Sequence, residues 1–152
     1  MHNLKLVQAS SAHPDLKPLI ANLDRYLYGL YPADEVFAVD LNGPDASSLH
    51  FIIAYLDSVP VGCGAIKTID ERSTELKRFY VEPAYRSNGI AGLILGDLEQ
   101  EARNRQFQFI KLETGEPQVE AVRFYKKYGY YEIERFGEYV NCPSSLCLEK
   151  RL

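Results

Sequence analysis

Six consecutive residues, Arg86-Ser87-Asn88-Gly89-Ile90-Ala91, carry the clearest chemical signal in the sequence. They follow a strand-like run closed by Pro83 and open an amphipathic pattern of Ile90, Ile94, Leu95, Leu98 and Ala102. The start of a helix leaves backbone N–H groups without partners and carries a partial positive charge. Gly89 lets the chain bend and approach a ligand closely. Arg86 adds a guanidinium suited to phosphate oxygens. Together these residues make a candidate pyrophosphate cradle. Read alone, they fit a tight turn with a solvated arginine equally well. The rival phosphate motifs are missing: the sequence has no Gly-Lys-Ser/Thr, and no Gly-x-Gly-x-x-Gly follows a strand.

Other chemistries find less support. Cys63, Cys142 and Cys147 are odd in number and lack metal-ligand spacing. Cys63 sits in an apolar run and reads as a small core residue. His2, His13 and His50 have no partner motif, so neither metal nor cysteine catalysis is expected. A formal net charge of −4 argues against a nucleic-acid footprint and leans weakly towards a cationic acceptor. Met1-His2-Asn3-Leu4-Lys5 opens no long apolar leader, and no stretch approaches a membrane span. The expectation is a cytoplasmic protein with neither a membrane nor a nucleic-acid partner.

At 152 residues the chain suits one compact domain, 1–152, able to bury a core without disulfides or metal. Residues 4–9 read as an opening strand. A helical pattern then begins at Pro14-Asp15, with Leu16, Leu19, Ile20, Leu23 and Leu27 on one face, and is broken at Gly29 and Pro32. Residues 42–48 form a loop. Phe51–Leu56 and Val61–Ile69 flank Asp57-Ser58-Val59-Pro60 as a hairpin of buried strands. Glu75–Val81 is a third strand of that series, and Phe107–Leu112 follows the Gly89 helix as another. A last helix lies between Pro117 and Gly129, which suits an αL cap. Tyr130–Ile133 and Leu146–Leu148 close the pattern as strands.

Two of these segments, in order and at matching separation, carry a family resemblance. Arg86-Ser87-Asn88-Gly89-Ile90-Ala91 resembles the Arg/Gln-x-x-Gly-x-Gly/Ala segment of the GCN5-related N-acetyltransferase (GNAT) superfamily. Glu120-Ala121-Val122-Arg123-Phe124-Tyr125-Lys126-Lys127-Tyr128-Gly129-Tyr130 resembles its Ala-x-x-Leu-Tyr-x-x-x-Gly-Phe/Tyr segment. Leu76–Pro83 looks like the family's fourth strand.

The resemblance implies an α/β fold: a mixed, largely antiparallel sheet of about seven strands with helices on both faces. It implies acetyl-CoA as co-substrate and no metal. The pyrophosphate would meet the backbone of Arg86, Ser87, Asn88, Gly89, Ile90 and Ala91. The pantetheine arm would meet Phe79, Tyr80 and Val81, where the fourth and fifth strands splay apart at a bulge. Tyr125 matches a tyrosine that protonates the leaving thiolate, although its helical position alongside Ala121 and Val122 suits packing as well. Gln118 stands where many members have an Asn that touches the cofactor. Glu75 lies eleven residues before Arg86, at the offset of a catalytic glutamate; a solvated residue paired with Lys77 or Arg78 is the alternative. Tyr26, Tyr31, Glu35, Phe136 and Tyr139 are candidates for an aromatic and acidic pocket that would receive a small-molecule or protein amine. The family also implies a possible homodimer. The expected reaction is direct acetyl transfer to an amine in a ternary complex. A non-catalytic acyl-CoA sensor on the same fold and a nucleotide-binding protein are the rival readings.

Overall fold

The computed structural model describes residues 3–37, 41, 43 and 46–152. Met1 and His2 of the N-terminal reading, and Asn42, Pro44 and Asp45 of the expected loop, lie outside the described residues. In chain order the elements are β1 (Leu4–Ala9), α1 (Leu16–Leu30), β2 (His50–Leu56), β3 (Val59–Thr68), β4 (Ser73–Val81), α2 (Ile90–Asn104), β5 (Phe109–Gly115), α3 (Val119–Lys127), β6 (Tyr131–Ile133) and β7 (Ser145–Arg151). One seven-stranded sheet runs β1-β2-β3-β4-β5-β7-β6. Every neighbouring pair is antiparallel except β4 and β5, which are parallel.

Strand alternation sorts the core onto two faces. Phe51 and Ile53 of β2 pack with Leu16, Leu19, Ile20 and Leu23 of α1. Ile52 and Ala54 point the other way, into a cluster with Ile94, Leu95 and Leu98 of α2 and Tyr125 of α3. The β2–β3 hairpin turns on two residues, Asp57 (φ 49) and Ser58 (φ 71). Positive φ at both central positions matches the twist of the strands they join. That turn is tighter than the four-residue connection expected, and Pro60 falls inside β3.

Other boundaries differ from expectation, among them the end of α1, which runs through Gly29 to Leu30, and the start of β4 at Ser73. β7 extends to Ser145–Arg151, and α3 begins at Val119, after Pro117. β5 begins at Phe109 and continues to Gly115, beyond the apolar residues that end at Leu112. Pairing of Gly115 with Ser145 and Thr114 with Leu146 holds the added turn of strand, which polar residues alone would not signal.

Two features aim this framework at a site. The first is a β-bulge in β4. Cys63 pairs with Tyr80 and Ala65 with Lys77, so Arg78 and Phe79 stand opposite the single residue Gly64. Arg78 takes φ 53 at the bulge. The insertion reverses the alternation, so Leu76 packs with the α2 cluster and Tyr80 with the α1 cluster despite their even spacing. The second is the short β4–β5 ladder. Only Ser73, Thr74 and Glu75 pair with Phe109, Ile110 and Lys111; beyond them the strands part.

Helix α2 crosses β3 at two glycines. A Cβ on Gly62 would lie 2.9 Å from the Tyr80 carbonyl oxygen and 3.1 Å from Ile94 Cδ1. A Cβ on Gly64 would lie 3.0 Å from both Leu98 Cδ1 and Phe79 Cδ2. The bare backbone lets α2 sit low on the sheet and carries its N-terminus to the gap beside β4. Gly62→Ala should therefore lower stability by about 1–3 kcal/mol through overpacking against a backbone oxygen that cannot yield. The expected readout is a lower urea midpoint with an unchanged m-value.

Candidate active site

The gap between β4 and β5 opens into two cavities that share a wall. The first is a groove lined by Tyr26, Phe79, Tyr80, Val81, Arg86, Ser87, Ala91, Ala121 and Phe124, among others. The second holds Tyr31, Glu35, Glu75, Lys77, Arg78, Glu113, Thr114 and Tyr139. Leu23, Phe79, Gln118 and Tyr125 line both. Tyr125 therefore stands at the junction, fixed by ring contacts to Phe79, Phe124 and Tyr130 at 5.5–6.0 Å between centroids.

The groove ends at the start of α2. Gly89, at φ +78, supplies the turn into the helix, and a Cβ placed there would meet nothing within 4 Å. The first intrahelical acceptor bond runs from Leu93 N–H to the Gly89 carbonyl, so the helix itself leaves the amides of Ile90, Ala91 and Gly92 without partners. Asn88 closes the turn by donating to the carbonyls of Tyr85 and Arg86. Ile90 contributes only backbone here, because its side chain is buried in the α2 cluster. Arg86 donates through Nε to the Val81 carbonyl at 2.9 Å and lies over the rings of Tyr26 and Tyr80. Its guanidinium is thus braced against the end of β4, with its terminal nitrogens left for an anion.

The second cavity is rich in carboxylates. Glu75 is 7% exposed and accepts a 2.5 Å hydrogen bond from the Tyr139 hydroxyl, while Lys77 Nζ stands 3.8 Å from it. Burial pushes the Glu75 carboxyl above its ordinary range, and the Lys77 charge opposes that rise. Among the described residues Glu113 accepts only from Ser145 Oγ, at 3.3 Å. Burial, reinforced by the charge of Glu75, raises the Glu113 pKa from 4.5 to about 7. Tyr125 is displaced above the usual phenol range, first by burial and then by the charge of Glu113. Glu113 is thus the carboxylate electrostatically closest in effect to the junction tyrosine. Tyr31 donates to Gln118 Oε1 at 2.8 Å, linking the end of α1 to the start of α3.

The structure brings together most of the residues singled out from sequence. Tyr125, Glu75, Tyr31, Glu35 and Tyr139 share the second cavity. Phe79, Tyr80, Val81, Arg86, Ser87, Ala91 and Gln118 share the groove. Two acceptor-pocket candidates sit elsewhere. Tyr26 lies in the groove with Arg86, because it is on the α1 face above β4 rather than at the helix end. Phe136 packs edge-on against Tyr139 at 5.3 Å and is absent from the cavity wall. Glu113, Thr114 and Arg78 escaped the sequence reading. The signal for the first two was continued alternation through Phe109-Ile-Lys-Leu-Glu-Thr-Gly, past the last apolar residue. Among the described residues no group of His, Cys, Asp or Glu could hold a metal ion, and no helix is long and apolar enough to cross a membrane.

Comparisons with known proteins agree with this fold. The sequence model described as the acetyltransferase (GNAT) family matches residues 16–130. An IAA acetyltransferase of Azospirillum brasilense is 35% identical, with both chains covered in full. The structure of an acyl-CoA N-acyltransferase candidate from Klebsiella pneumoniae superposes with a TM-score of 0.84 at 28% identity, over 98% of this chain and 97% of that one. A GNAT acetyltransferase from Elizabethkingia anophelis with acetyl-CoA bound shares the fold, with a TM-score of 0.68, 20% identity and 99% of each chain covered. On this match and this likeness, the chain is an acetyltransferase belonging to the GNAT family.

Proposed function

We propose that the chain, acting as one unit, moves an acetyl group from acetyl-CoA to a primary amine while both substrates are bound. The observation that carries this is the meeting of the groove and the acidic cavity at Tyr125. The groove suits acetyl-CoA on its own features: open space at Gly89, unpartnered amides at a helix start, and an apolar wall of Phe79, Val81 and Phe124. Ser87, the amides at the start of α2, and Arg86 would hold the pyrophosphate. The free edge of β4 over Phe79, Tyr80 and Val81 would hold the amide-bearing arm. When bound, acetyl-CoA supplies an activated acetyl group, and overall an amine N–H becomes an amide N–C bond as the thioester C–S bond becomes a thiol S–H.

The protein's part is to manage two protons. An alkylammonium has a pKa of roughly 10, so a carboxylate near 4.5 would face a gap of about 6 units, or about 8 kcal/mol. Raised to about 7, Glu113 halves that gap. We therefore assign the general base to Glu113. Glu75, held by Tyr139 and Lys77, acts on Glu113 through its charge. Tyr125 remains a neutral phenol throughout the working range because its pKa is raised. It stabilises the departing sulfur chiefly by donating a hydrogen bond, since a thiolate near 8.5 is less basic than the phenolate.

Release of thiol from acetyl-CoA across a panel of amines, with IAA included because of the Azospirillum relative, tests the reading. Tight acetyl-CoA binding with no turnover of any acceptor would replace it with a sensing role. In the native protein kcat/KM should rise with pH through a limb near 7. Glu113→Gln should lose that limb and fall by about 10²–10³. The sign for stability is opposite. A carboxyl whose pKa is raised on folding contributes stability that is present below 4.5 and lost as pH rises through about 7. Glu113→Gln should therefore raise the urea midpoint at pH 8 and leave it unchanged at pH 4. Tyr125→Phe should lower kcat by roughly 10- to 100-fold with little change in KM. An undiminished kcat would remove the tyrosine from the mechanism.

A further inference from the structure

The second cavity has an uneven distribution of charge. Its two cations are already paired. Both terminal nitrogens of Arg78 donate to Asp24 Oδ1, at 2.9 and 2.8 Å. Lys77 Nζ lies 3.8 Å from Glu75 and 3.4 Å from Glu138. Two of its carboxylates are not. Glu35 accepts from Ser144 Oγ at 3.0 Å and from Cys142 Sγ at 3.7 Å. Glu113 accepts from Ser145 Oγ at 3.3 Å. Among the described residues no Lys, Arg or His nitrogen lies within 4.0 Å of either.

A second and independent feature points to a ligand. Thr114 lines this cavity, is 3% exposed, and its buried hydroxyl oxygen has no hydrogen-bond partner. An orphaned buried hydroxyl costs about 1–3 kcal/mol unless something bonds to it. The walls also include Tyr31, Phe37 and Tyr139, whose ring faces attract cations.

We propose that the acceptor is a short diamine, bound with one nitrogen at Glu113 and the other at Glu35, with Thr114 Oγ1 accepting from it. The proposal rests on the amine-transfer reading above and narrows it. A monoamine at Glu113 leaves Glu35 without a counter-charge. An amino acid brings its own carboxylate beside Glu35, Glu75 and Glu113, where like charges oppose it. A cavity of about 120 Å³ has room for an acceptor with a few carbons between the nitrogens. The nitrogen at Glu113 gives up its proton there and gains the acetyl group, while the nitrogen at Glu35 stays an ammonium and positions the molecule.

The test compares kcat/KM of the native protein for 1,4-diaminobutane, butylamine, 4-aminobutyrate and IAA, with acetyl-CoA as donor and thiol release as readout. The diamine is expected to exceed each of the others roughly tenfold or more, a difference of about 1.4 kcal/mol. Glu35→Gln, a near-isosteric change, should bring the ratio of diamine to butylamine close to one. Butylamine, 4-aminobutyrate or IAA reacting as well as the diamine would overturn the proposal, as would a ratio that survives Glu35→Gln. If butylamine is acetylated and the diamine has no advantage, amine transfer stands and the diamine alone fails. If no amine is acetylated while calorimetry shows acetyl-CoA bound, both readings fall.

Discussion

The parting of β4 from β5 after Glu75 is the constraint on which the rest of the site depends. A continuous ladder would have spent the backbone groups of Lys77–Val81 on β5 and closed both cavities. What holds the gap open is the bulge at Arg78 and Phe79, and the bulge is held from several sides. Cys63 Sγ donates to the Arg78 carbonyl, and the Arg78 guanidinium is clamped by Asp24 of α1. The Arg78 side chain is 4% exposed, so its charge is costly without that partner, and removing one half of a buried pair costs about 3–5 kcal/mol. The net contribution of the pair to stability is small by comparison. Its consequence is positional: it binds α1 to the one place where β4 leaves regular geometry.

Carboxylate chemistry follows from the same opening. Glu75 sits on the last paired rung of β4, and Glu113 lies on β5 beyond the point of divergence. They face one cavity from two strands that no longer bond to each other. Glu75 is buried and Glu113 half-buried, and the charge of Glu75 raises the pKa of Glu113 further. A fold selected for stability alone would not keep a carboxyl that resists ionisation at neutral pH. The penalty is what brings its basicity towards that of an amine. The Glu99, Tyr130 and Lys150 cluster is the contrasting case. Glu99 is as buried as Glu75 but receives Tyr130 Oη at 2.8 Å and Lys150 Nζ at 3.0 Å, so both its oxygens have donors and it serves structure.

Legibility in the sequence tracked how local each signal is. The helix-start loop was readable because its glycine, its arginine and the following apolar periodicity all lie within one turn of helix. Tyr125 was readable because its neighbours form a second segment of recognisable spacing. The bulge came only with the family resemblance; the residues themselves do not place it, since it appears as a register mismatch with β3, and Leu76 and Tyr80 give no sign of facing opposite ways. Glu113 and Thr114 were missed because apolar residues stop at Leu112, while pairing with Ser145 and Leu146 thirty residues on carries the strand to Gly115. Tyr26 and Tyr31 looked alike in sequence, five residues apart near the end of one helix. Tyr26 meets Arg86 and Tyr31 meets Gln118, so one belongs to the groove and the other to the acidic cavity.

That difference shows why α1 matters more than its position at the edge of the site suggests. Leu23 lines both cavities, Tyr26 lines one and Tyr31 the other. Polar contacts lock the helix against the elements around it. Asp15 accepts from Tyr55 of β2, Asn22 donates to Glu82 just after β4, Asp24 binds Arg78 at the bulge, and Tyr31 at the C-terminal cap reaches Gln118 at the start of α3. Apolar packing of Leu16, Leu19, Ile20 and Leu23 supplies the burial but would tolerate a helix that slid or rotated slightly. Directional hydrogen bonds at four points along the helix do not. They set the two cavities in register across Tyr125, which the proposed reaction would need for a proton to leave at Glu113 while Tyr125 donates to the sulfur.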